Sequence, residues 1–359
     1  MSEQLHILRG RGSSSNPANR FESLHYERDP DAPPGEDPAP QTQFFKDNTR
    51  SIITTNDSPD IGFSASINPY RGCEHGCSYC YARPYHEYLG FSAGLDFETK
   101  ILAKEDAPQL LRKELSSPKW KPQVLGLSGV TDPYQPIERH LLLTRRCLEV
   151  LAEFRNPVAV VTKNHLVTRD IDLLARLVEH HAVAVCISVT TLDDRLAGRM
   201  EPRATRPRGR LEAIRTLSAA SIPVNVLVAP IIPGLTDHEM PAILAAARDA
   251  GAVDAGYVML RLPHGLPELF GQWLSKHYPE RRERVLSRVR AVRGGQAYDS
   301  RFGIRIRGEG PIADAVGAMF KLLHQKLGFP GRGPLSTDAF RHPGETPPLL
   351  LGGRADFVG

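Results

Sequence analysis

The chain has 359 residues, of which 41% are hydrophobic and 24% charged, and both values are ordinary for a folded globular protein. Its formal net charge of +4 is too small to indicate a nucleic-acid partner by itself. No segment has the roughly 18 uninterrupted apolar residues of a membrane span, and residues 1–15 lack the apolar core of a secretory signal. We therefore expect a cytoplasmic protein without a membrane partner, whose five cysteines do not form a disulfide framework.

Both ends of the chain are rich in proline and in small polar residues or glycine. This composition predicts a flexible N-terminal arm over residues 1–45 and a Pro/Gly-rich tail over residues 330–359. A small basic cluster, residues 9–12, lies within the arm. It is interpreted either as part of a solvated tail or as an arm over a phosphate or the active site.

Between these ends, short apolar runs alternate with segments of helical periodicity. The predicted strands are residues 63–67, 124–130, 158–162, 182–190, 224–232 and 256–262. The predicted helices are residues 107–115, with Asp106 as N-cap, and residues 141–154, 171–179, 211–220 and 239–250. Repeated βα units with short connections indicate a parallel sheet covered by helices, with functional groups at the carboxyl ends of the strands. We assign this α/β core to residues 46–265 and a helical extension to residues 266–329.

Three of the five cysteines lie within eight residues, directly after the first predicted strand. Residues 73–80 read Cys-Glu-His-Gly-Cys-Ser-Tyr-Cys, which is the spacing CX3CX2C. Three thiolates on one loop can each bind one iron of a four-iron cluster, and Gly72 and Gly76 let the loop fold back. A tetrahedral zinc site is the alternative, and it needs a fourth ligand such as His75 or His86.

This spacing, with the aromatic Tyr79 before the last cysteine, resembles the signature of radical S-adenosylmethionine (SAM) enzymes. Segments flanking the motif, residues 68–73 and 80–83, are similar to the spore photoproduct lyase-like branch of that family. Residues 85–90, 131–138 and 199–203 resemble a bacterial group often labelled DNA-repair-photolyase-like. The resemblance spans residues 45–330 and implies a partial (β/α)6 TIM-like barrel.

The resemblance also implies cofactors and a partner. Cys73, Cys77 and Cys80 would ligate a [4Fe–4S] cluster whose open iron binds SAM, with Tyr79 among the cofactor-binding residues. Reductive cleavage of SAM would release methionine and a 5′-deoxyadenosyl radical that abstracts hydrogen from a substrate. A reducing electron donor of the flavodoxin or ferredoxin type is then required. The substrate is not identified, and nucleic acid is one of the open classes.

Further SAM contacts are expected where later strands end. Thr131 and Asp132 occupy the place where the family binds the methionine amino group, and Lys163 matches a basic residue that would pair with the SAM carboxylate. Ser188 is a candidate hydroxyl donor on the small, polar face of the fourth strand, and Glu201 a candidate ribose ligand. Each has a structural alternative: an Asx turn, an exposed lysine, core filling and a carboxylate at a helix start.

Two observations bear on the substrate. The spore photoproduct lyase branch carries a hydrogen-donor cysteine near the end of its second strand, whereas residues 128–130 here hold none. Arginines cluster in residues 199–210, where they suggest an anionic ligand, and in residues 281–293, where interleaved glutamates suggest a solvated surface. Two alternatives therefore stay open, a DNA photolesion lyase and a non-catalytic iron–sulfur or zinc protein that binds nucleic acid. No catalytic residue is assigned, and Cys147 and Cys186 are too few for a second cluster.

Overall fold

The computed structural model describes residues 8–22 and 40–343. Its strands are β1 (Gln43–Lys46), β2 (Ile53–Thr55), β3 (Ala65–Ile67), β4 (Tyr70–Arg71), β5 (Lys100–Ala103), β6 (Leu125–Leu127), β7 (Val158–Thr162), β8 (Val183–Ser188), β9 (Val224–Ile231) and β10 (Asp254–Met259). Its helices are α1 (Leu95–Thr99), α2 (Ala107–Leu115), α3 (Glu138–Leu141), α4 (Leu143–Phe154), α5 (Ile171–Val178), α6 (Asp194–Met200), α7 (Pro207–Ala219), α8 (Met240–Asp249), α9 (Leu266–His277), α10 (Arg282–Ala291), α11 (Ile304–Arg307) and α12 (Pro311–Leu327). Short 3-10 helices cover Arg83–Leu89, His165–Asp170, Asp237–Glu239 and Pro279–Arg281.

One sheet organises the fold, with strand order β10-β9-β8-β7-β6-β3-β2. The neighbours from β3 to β10 are all parallel, and β2 pairs antiparallel at the edge. Every crossover between successive parallel strands contains helix, as parallel pairing requires. The six βα units confirm the predicted partial barrel. A second sheet, β1-β5-β4, was not predicted because its strands are only two to four residues long.

Several predicted elements differ from the structure at their ends. The strand predicted for residues 256–262 is Asp254–Met259, and the helix predicted for residues 211–220 is Pro207–Ala219. The strand predicted for residues 124–130 ends at Leu127, because Ser128 (φ 151°) and Gly129 (φ 132°) turn the chain out of the sheet. The helix predicted for residues 141–154 begins at Leu143, since Leu142 (φ 54°) separates α3 from α4. Asp106 does precede α2, but the prediction of a side-chain cap is wrong, since its carboxylate caps no amide.

The main core lies between this sheet and its covering helices. Val158 and Val160 of β7 pack in one cluster with Leu148, Leu174 and Leu217 of the helices. Burial of each such side chain contributes about 1.5–3 kcal/mol to folding. The core leaves the carboxyl ends of the strands free to carry functional groups. None of the described helices is long and apolar enough to cross a membrane.

Residues 8–22 lie against the segment that holds the three cysteines. The backbone N–H groups of Gly12 and Ser13 donate to the fully buried carboxylate of Glu98 at 2.9 and 2.8 Å. Arg20 pairs with Glu87 at 2.7 Å. Part of the predicted N-terminal arm therefore has defined contacts, while its residues 1–7 and 23–39, like residues 344–359 of the predicted tail, lie outside the described residues.

Candidate functional site

A cavity of about 290 Å³ lies where the parallel strands end. Residues from the cysteine loop and from the ends of β6, β7, β8, β9 and β10 share its lining. It brings together eight of the nine predicted site residues, namely Cys73, Cys77, Tyr79, Cys80, Thr131, Asp132, Lys163 and Ser188. The ninth, Glu201, does not line it.

The cysteine loop is held by backbone hydrogen bonds to neighbouring elements. Cys73 N–H donates to the Phe97 carbonyl at 2.9 Å, and the buried Arg83 guanidinium donates to the Cys77 carbonyl at 3.0 Å. Gly72 (φ 76°) and Gly76 (φ 63°) adopt left-handed conformations, which bend the loop as predicted from their lack of a Cβ. At roughly 3.5 Å per residue, Cys73 and Cys77 would lie about 14 Å apart in an extended chain. The three cysteines thus reach one cavity because the loop folds back.

Burial governs the protonation of these thiols. It raises the pKa of Cys77 well above its usual value and that of Cys80 to about 11. Cys77 and Cys80 are therefore protonated at neutral pH until a bound metal provides the positive charge that stabilises their thiolates.

The donor set fits a four-iron cluster. No three His, Cys, Asp or Glu side chains in residues 8–22 and 40–343 are placed to share one metal ion. Cluster ligation does not require this, because each thiolate binds a different iron. The candidate fourth ligands of a zinc site have other contacts. His75 lies between Asp132 and Asn164, at 3.3 Å from each. His86 stacks on Phe91 and contacts Phe97 edge to face.

Asp132 lines the cavity, but several internal donors already engage its carboxylate. It accepts from the Thr162 hydroxyl at 2.7 Å and from the N–H groups of Lys163 and Tyr134 at 2.8 and 2.9 Å. Burial opposes its ionisation, yet His75 and these donors hold the pKa of Asp132 below its usual value. Conversely, Asp132 raises the pKa of His75 to about 10 against the effect of burial. The Asx-type contact expected as the structural alternative is therefore present.

Thr131, Lys163 and Ser188 are placed differently from one another. The Thr131 hydroxyl donates to the Gly72 carbonyl at 2.7 Å and so ties the end of β6 to the cysteine loop. The Lys163 ammonium donates to the Ala229 carbonyl at 3.0 Å and lies 5.9 Å from the centre of the Tyr79 ring. Ser188 is buried at the end of β8. Of these three, Lys163 presents a full charge to the cavity.

Glu201 lies behind the cavity wall and is 1% exposed. It forms a buried ion pair with Arg210 and accepts hydrogen bonds from the hydroxyls of Tyr79 and Thr190. Burial opposes its charge, but Arg210 and Lys163 lower the pKa of Glu201 to about 2. Direct contact with a ligand would require these partners to separate, so the placement favours a structural role. Ribose binding by Glu201 stays a prediction.

Tyr81 and Arg261 also line the cavity and are not among the predicted site residues. Tyr81 follows the last cysteine of the motif directly, and Arg261 comes shortly after β10, within the strand predicted for residues 256–262. The motif and the predicted strand are therefore the sequence signals that point to these two positions. Ile306 of α11 also lines the cavity, so the predicted helical extension contributes to its wall.

The first arginine cluster does not form a continuous free surface. Arg203 pairs with Glu74 at 2.9 Å, Arg210 with Glu201, and Arg206 donates to the Asp194 carbonyl at 3.4 Å. Arg199 stacks on Tyr278 at 5.2 Å, whereas Arg208 is exposed. Most of this cluster is therefore occupied within the chain.

Comparison with known proteins supports the family that the cysteine loop indicates. The model of the Radical SAM superfamily matches residues 67–247. An uncharacterized protein of Mycobacterium tuberculosis is 36% identical over 234 residues, which cover 65% of this chain and 68% of that protein. A radical SAM Nalpha-GlyT isomerase of Pseudomonas phage M6 is 28% identical over 182 residues, 49% of this chain and 35% of that protein.

The fold is similar to a solved structure of a spore photoproduct lyase mutant. The TM-score is 0.53 at 16% identity, covering 80% of this chain and 79% of that one. At this identity the similarity concerns the fold alone, a partial barrel with a parallel sheet. Together with the family match and the cysteine loop at the strand ends, it leads to one conclusion: the chain belongs to the radical SAM superfamily of enzymes.

Proposed function

We propose that Cys73, Cys77 and Cys80 hold a [4Fe–4S] cluster and that the adjoining cavity binds SAM and a substrate. The observation that carries this proposal is the shared cavity, which joins the three thiols to the charged and polar strand ends. The chemistry that the two cofactors supply when bound is reductive cleavage of SAM, which releases methionine and initiates hydrogen abstraction from the substrate. Reduction requires an electron donor, for which a flavodoxin or ferredoxin is proposed.

The chain's own residues position the cysteine loop. Arg83 donates to the carbonyls of Cys77, Ala93 and Gly94, and it pairs with Glu98 at 2.5 Å. All of these partners belong to the folded chain itself. The cysteine loop therefore has its orientation before a cofactor binds. Such preorganisation avoids a conformational cost when the cofactors bind.

Lys163 is the residue best suited to orient the SAM carboxylate. Its ammonium lines the cavity, and its one close hydrogen bond goes to the neutral carbonyl of Ala229. The nearest carboxylate oxygen, Oε1 of Glu201, is 3.7 Å away and already accepts hydrogen bonds from Tyr79 and Thr190. The ammonium therefore keeps donors available for an anionic group.

The remaining wall is largely apolar. Apolar side chains line much of the cavity, including Phe63, Val161, Leu227, Val258 and Leu260. An apolar lining limits side reactions of reactive intermediates with solvent. In the described residues, no cysteine other than the three of the loop lines the cavity. We therefore propose no thiol as hydrogen donor, and we do not propose cleavage of a DNA photolesion for this chain.

Anaerobic reconstitution tests the proposal. Protein treated with iron and sulfide is expected to show cluster absorbance, and addition of SAM and dithionite is expected to yield 5′-deoxyadenosine, measured by mass spectrometry. Cys77→Ala should lose both signals. Cys186→Ala is the matched control, because Cys186 lies on β8 outside the cavity lining, and it should keep both. A cluster without SAM cleavage, or full cleavage by Cys77→Ala, would contradict the proposal.

A further inference from the structure

One part of the cavity wall carries a charge that the proposed cofactor site does not use. It consists of Tyr81, which follows the cysteine loop, Arg261, which follows β10, and Ile306 of α11. We call these three residues the Arg261 wall.

Arg261 is held in place by an aromatic ring and not by a carboxylate. Its guanidinium carbon lies 4.0 Å from the centre of the Tyr81 ring. The Tyr81 hydroxyl donates to the Gly129 carbonyl at 2.6 Å, which fixes the ring. The Arg261 guanidinium also hydrogen-bonds the Tyr81 hydroxyl, and because a guanidinium carries five N–H donors, others stay available for a ligand.

The carboxylates near the Arg261 wall already have arginine partners. Asp60 pairs with Arg305 at 2.5 Å. Asp299 and Glu309 pair with Arg301 at 2.5 and 3.1 Å. In the described part of the chain, no carboxylate lies within ion-pair distance of Arg261.

A second arginine beside the wall adds to the excess of positive charge. Arg293 is 1% exposed, donates to the carbonyls of Leu260 and Ile304, and has no hydrogen-bond partner for its Nε in the described residues. Burial, with a further contribution from Arg261, lowers the pKa of Arg293 to about 10. In the described residues, neither Arg261 nor Arg293 has a carboxylate within ion-pair distance.

We propose that Arg261 binds an oxyanion of the substrate, a phosphate or a carboxylate, while an apolar part of the substrate occupies the cavity. The inference rests on the proposed function, in which this cavity binds SAM and the substrate. It adds the chemical class of the substrate. The guanidinium fork matches either oxyanion in a bidentate arrangement. Partial burial strengthens the attraction relative to a fully exposed pair.

Lys163 is not the residue that we propose to bind the substrate oxyanion. It is the cation near Tyr79 and Glu201, on the side of the cavity where the SAM carboxylate is proposed to bind. Arg261 contacts Tyr81 and lies among the arginines of the C-terminal extension. The cavity thus offers one cation for the cofactor and another for the substrate.

Chemical modification tests the proposal directly. Reconstituted protein with SAM is treated with phenylglyoxal, and the modification of each arginine is followed by peptide mass spectrometry. Inorganic phosphate and propionate serve as the two oxyanion probes, against sodium chloride of equal ionic strength. With a millimolar dissociation constant, about 10 mM of the bound probe slows modification of Arg261 about tenfold. The exposed Arg284 should react at an unchanged rate.

The two probes distinguish the source of the oxyanion. Protection by phosphate alone assigns a phosphate-bearing substrate, and protection by propionate alone assigns a carboxylate. Equal rates at Arg261 with phosphate, propionate and chloride would overturn the proposal and leave Arg261 as a packing partner of Tyr81.

Variants provide an independent measurement. The effective probe should raise the melting temperature of the reconstituted wild type and of Arg284→Gln, but not that of Arg261→Gln. A similar shift in all three would overturn the proposal. Cluster absorbance and 5′-deoxyadenosine are recorded on the same samples. Loss of these two signals with Arg261 still protected contradicts the proposed function alone, and their presence without protection contradicts this inference alone.

Discussion

Replacing Gly12 with alanine should detach the N-terminal segment from the cysteine loop. A Cβ at this position would lie 1.7 Å from the carbonyl oxygen of Gly76 and 2.9 Å from its carbonyl carbon. Both are backbone atoms, so no rotation of a side chain relieves the overlap. Either the segment around Gly12 or the loop around Gly76 has to move.

The cost of this movement follows from the contacts that it breaks. The N–H groups of Gly12 and Ser13 donate to the Glu98 carboxylate at 2.9 and 2.8 Å. Hydrogen bonds to charged groups contribute about 1.5–3 kcal/mol each, so detachment forfeits about 3–6 kcal/mol. Glu98 keeps its ion pair with Arg83, which lets the loop itself stay in place. The lost free energy therefore weakens the attachment of residues 8–22 to the rest of the chain.

Hydrogen exchange followed by mass spectrometry measures this effect. In Gly12→Ala, the amides of residues 8–22 should exchange much faster, while those of the parallel strands stay protected. Gly62→Ala is the matched control, because it adds the same methyl group where nothing lies within 4 Å. Unchanged protection of residues 8–22 in Gly12→Ala would refute the reasoning, because it would show that the overlap is relieved without breaking the contacts with Glu98.

Two further predictions concern buried titratable groups. Glu201→Gln leaves the buried Arg210 without its ion-pair partner, so the free energy of unfolding should fall by about 3–5 kcal/mol in urea titration, and a loss below about 1 kcal/mol would contradict this. Burial lowers the pKa of His86 to about 4 from its usual value of 6.5. Between these values the unfolded chain binds a proton that the folded chain does not, so stability should decrease by up to about 3 kcal/mol as pH falls through this window. In His86→Phe this contribution should be absent, and identical pH profiles of the two proteins would contradict it.

The features that could be predicted from sequence are those encoded locally. Spacing alone predicted the three cysteines on one loop, because CX3CX2C puts them within eight residues and the two glycines can adopt left-handed conformations. Periodicity predicted the six parallel strands and the helices between them, because residues 158–162 and 171–178 show their burial pattern within a single element. Family resemblance added the partial barrel, and the family comparison confirms it.

Other features depend on residues far apart in the chain. Glu201 follows a turn that makes it a candidate ribose ligand, and only the tertiary structure shows its contacts with Tyr79 and Arg210 behind the cavity wall. Likewise, the arginines of residues 199–210 suggest an anionic ligand in the sequence, whereas Glu74 and Glu201 pair with two of them in the fold. Charge in a sequence does not specify its partner, because ion pairs form across elements.

The sequence by itself determined that three cysteines share one short loop and in what order the βα units follow, because both follow from spacing and from the period of hydrophobic residues. Only the tertiary structure decided which charges face the cavity. Lys163 and Arg261 are separated by nearly a hundred residues, yet parallel pairing brings the ends of β7 and β10 to one edge of the sheet. At the same edge, the Arg261 guanidinium lies over the ring of Tyr81. Strand order and sheet curvature bring these residues close together, and no local sequence pattern specifies either of them.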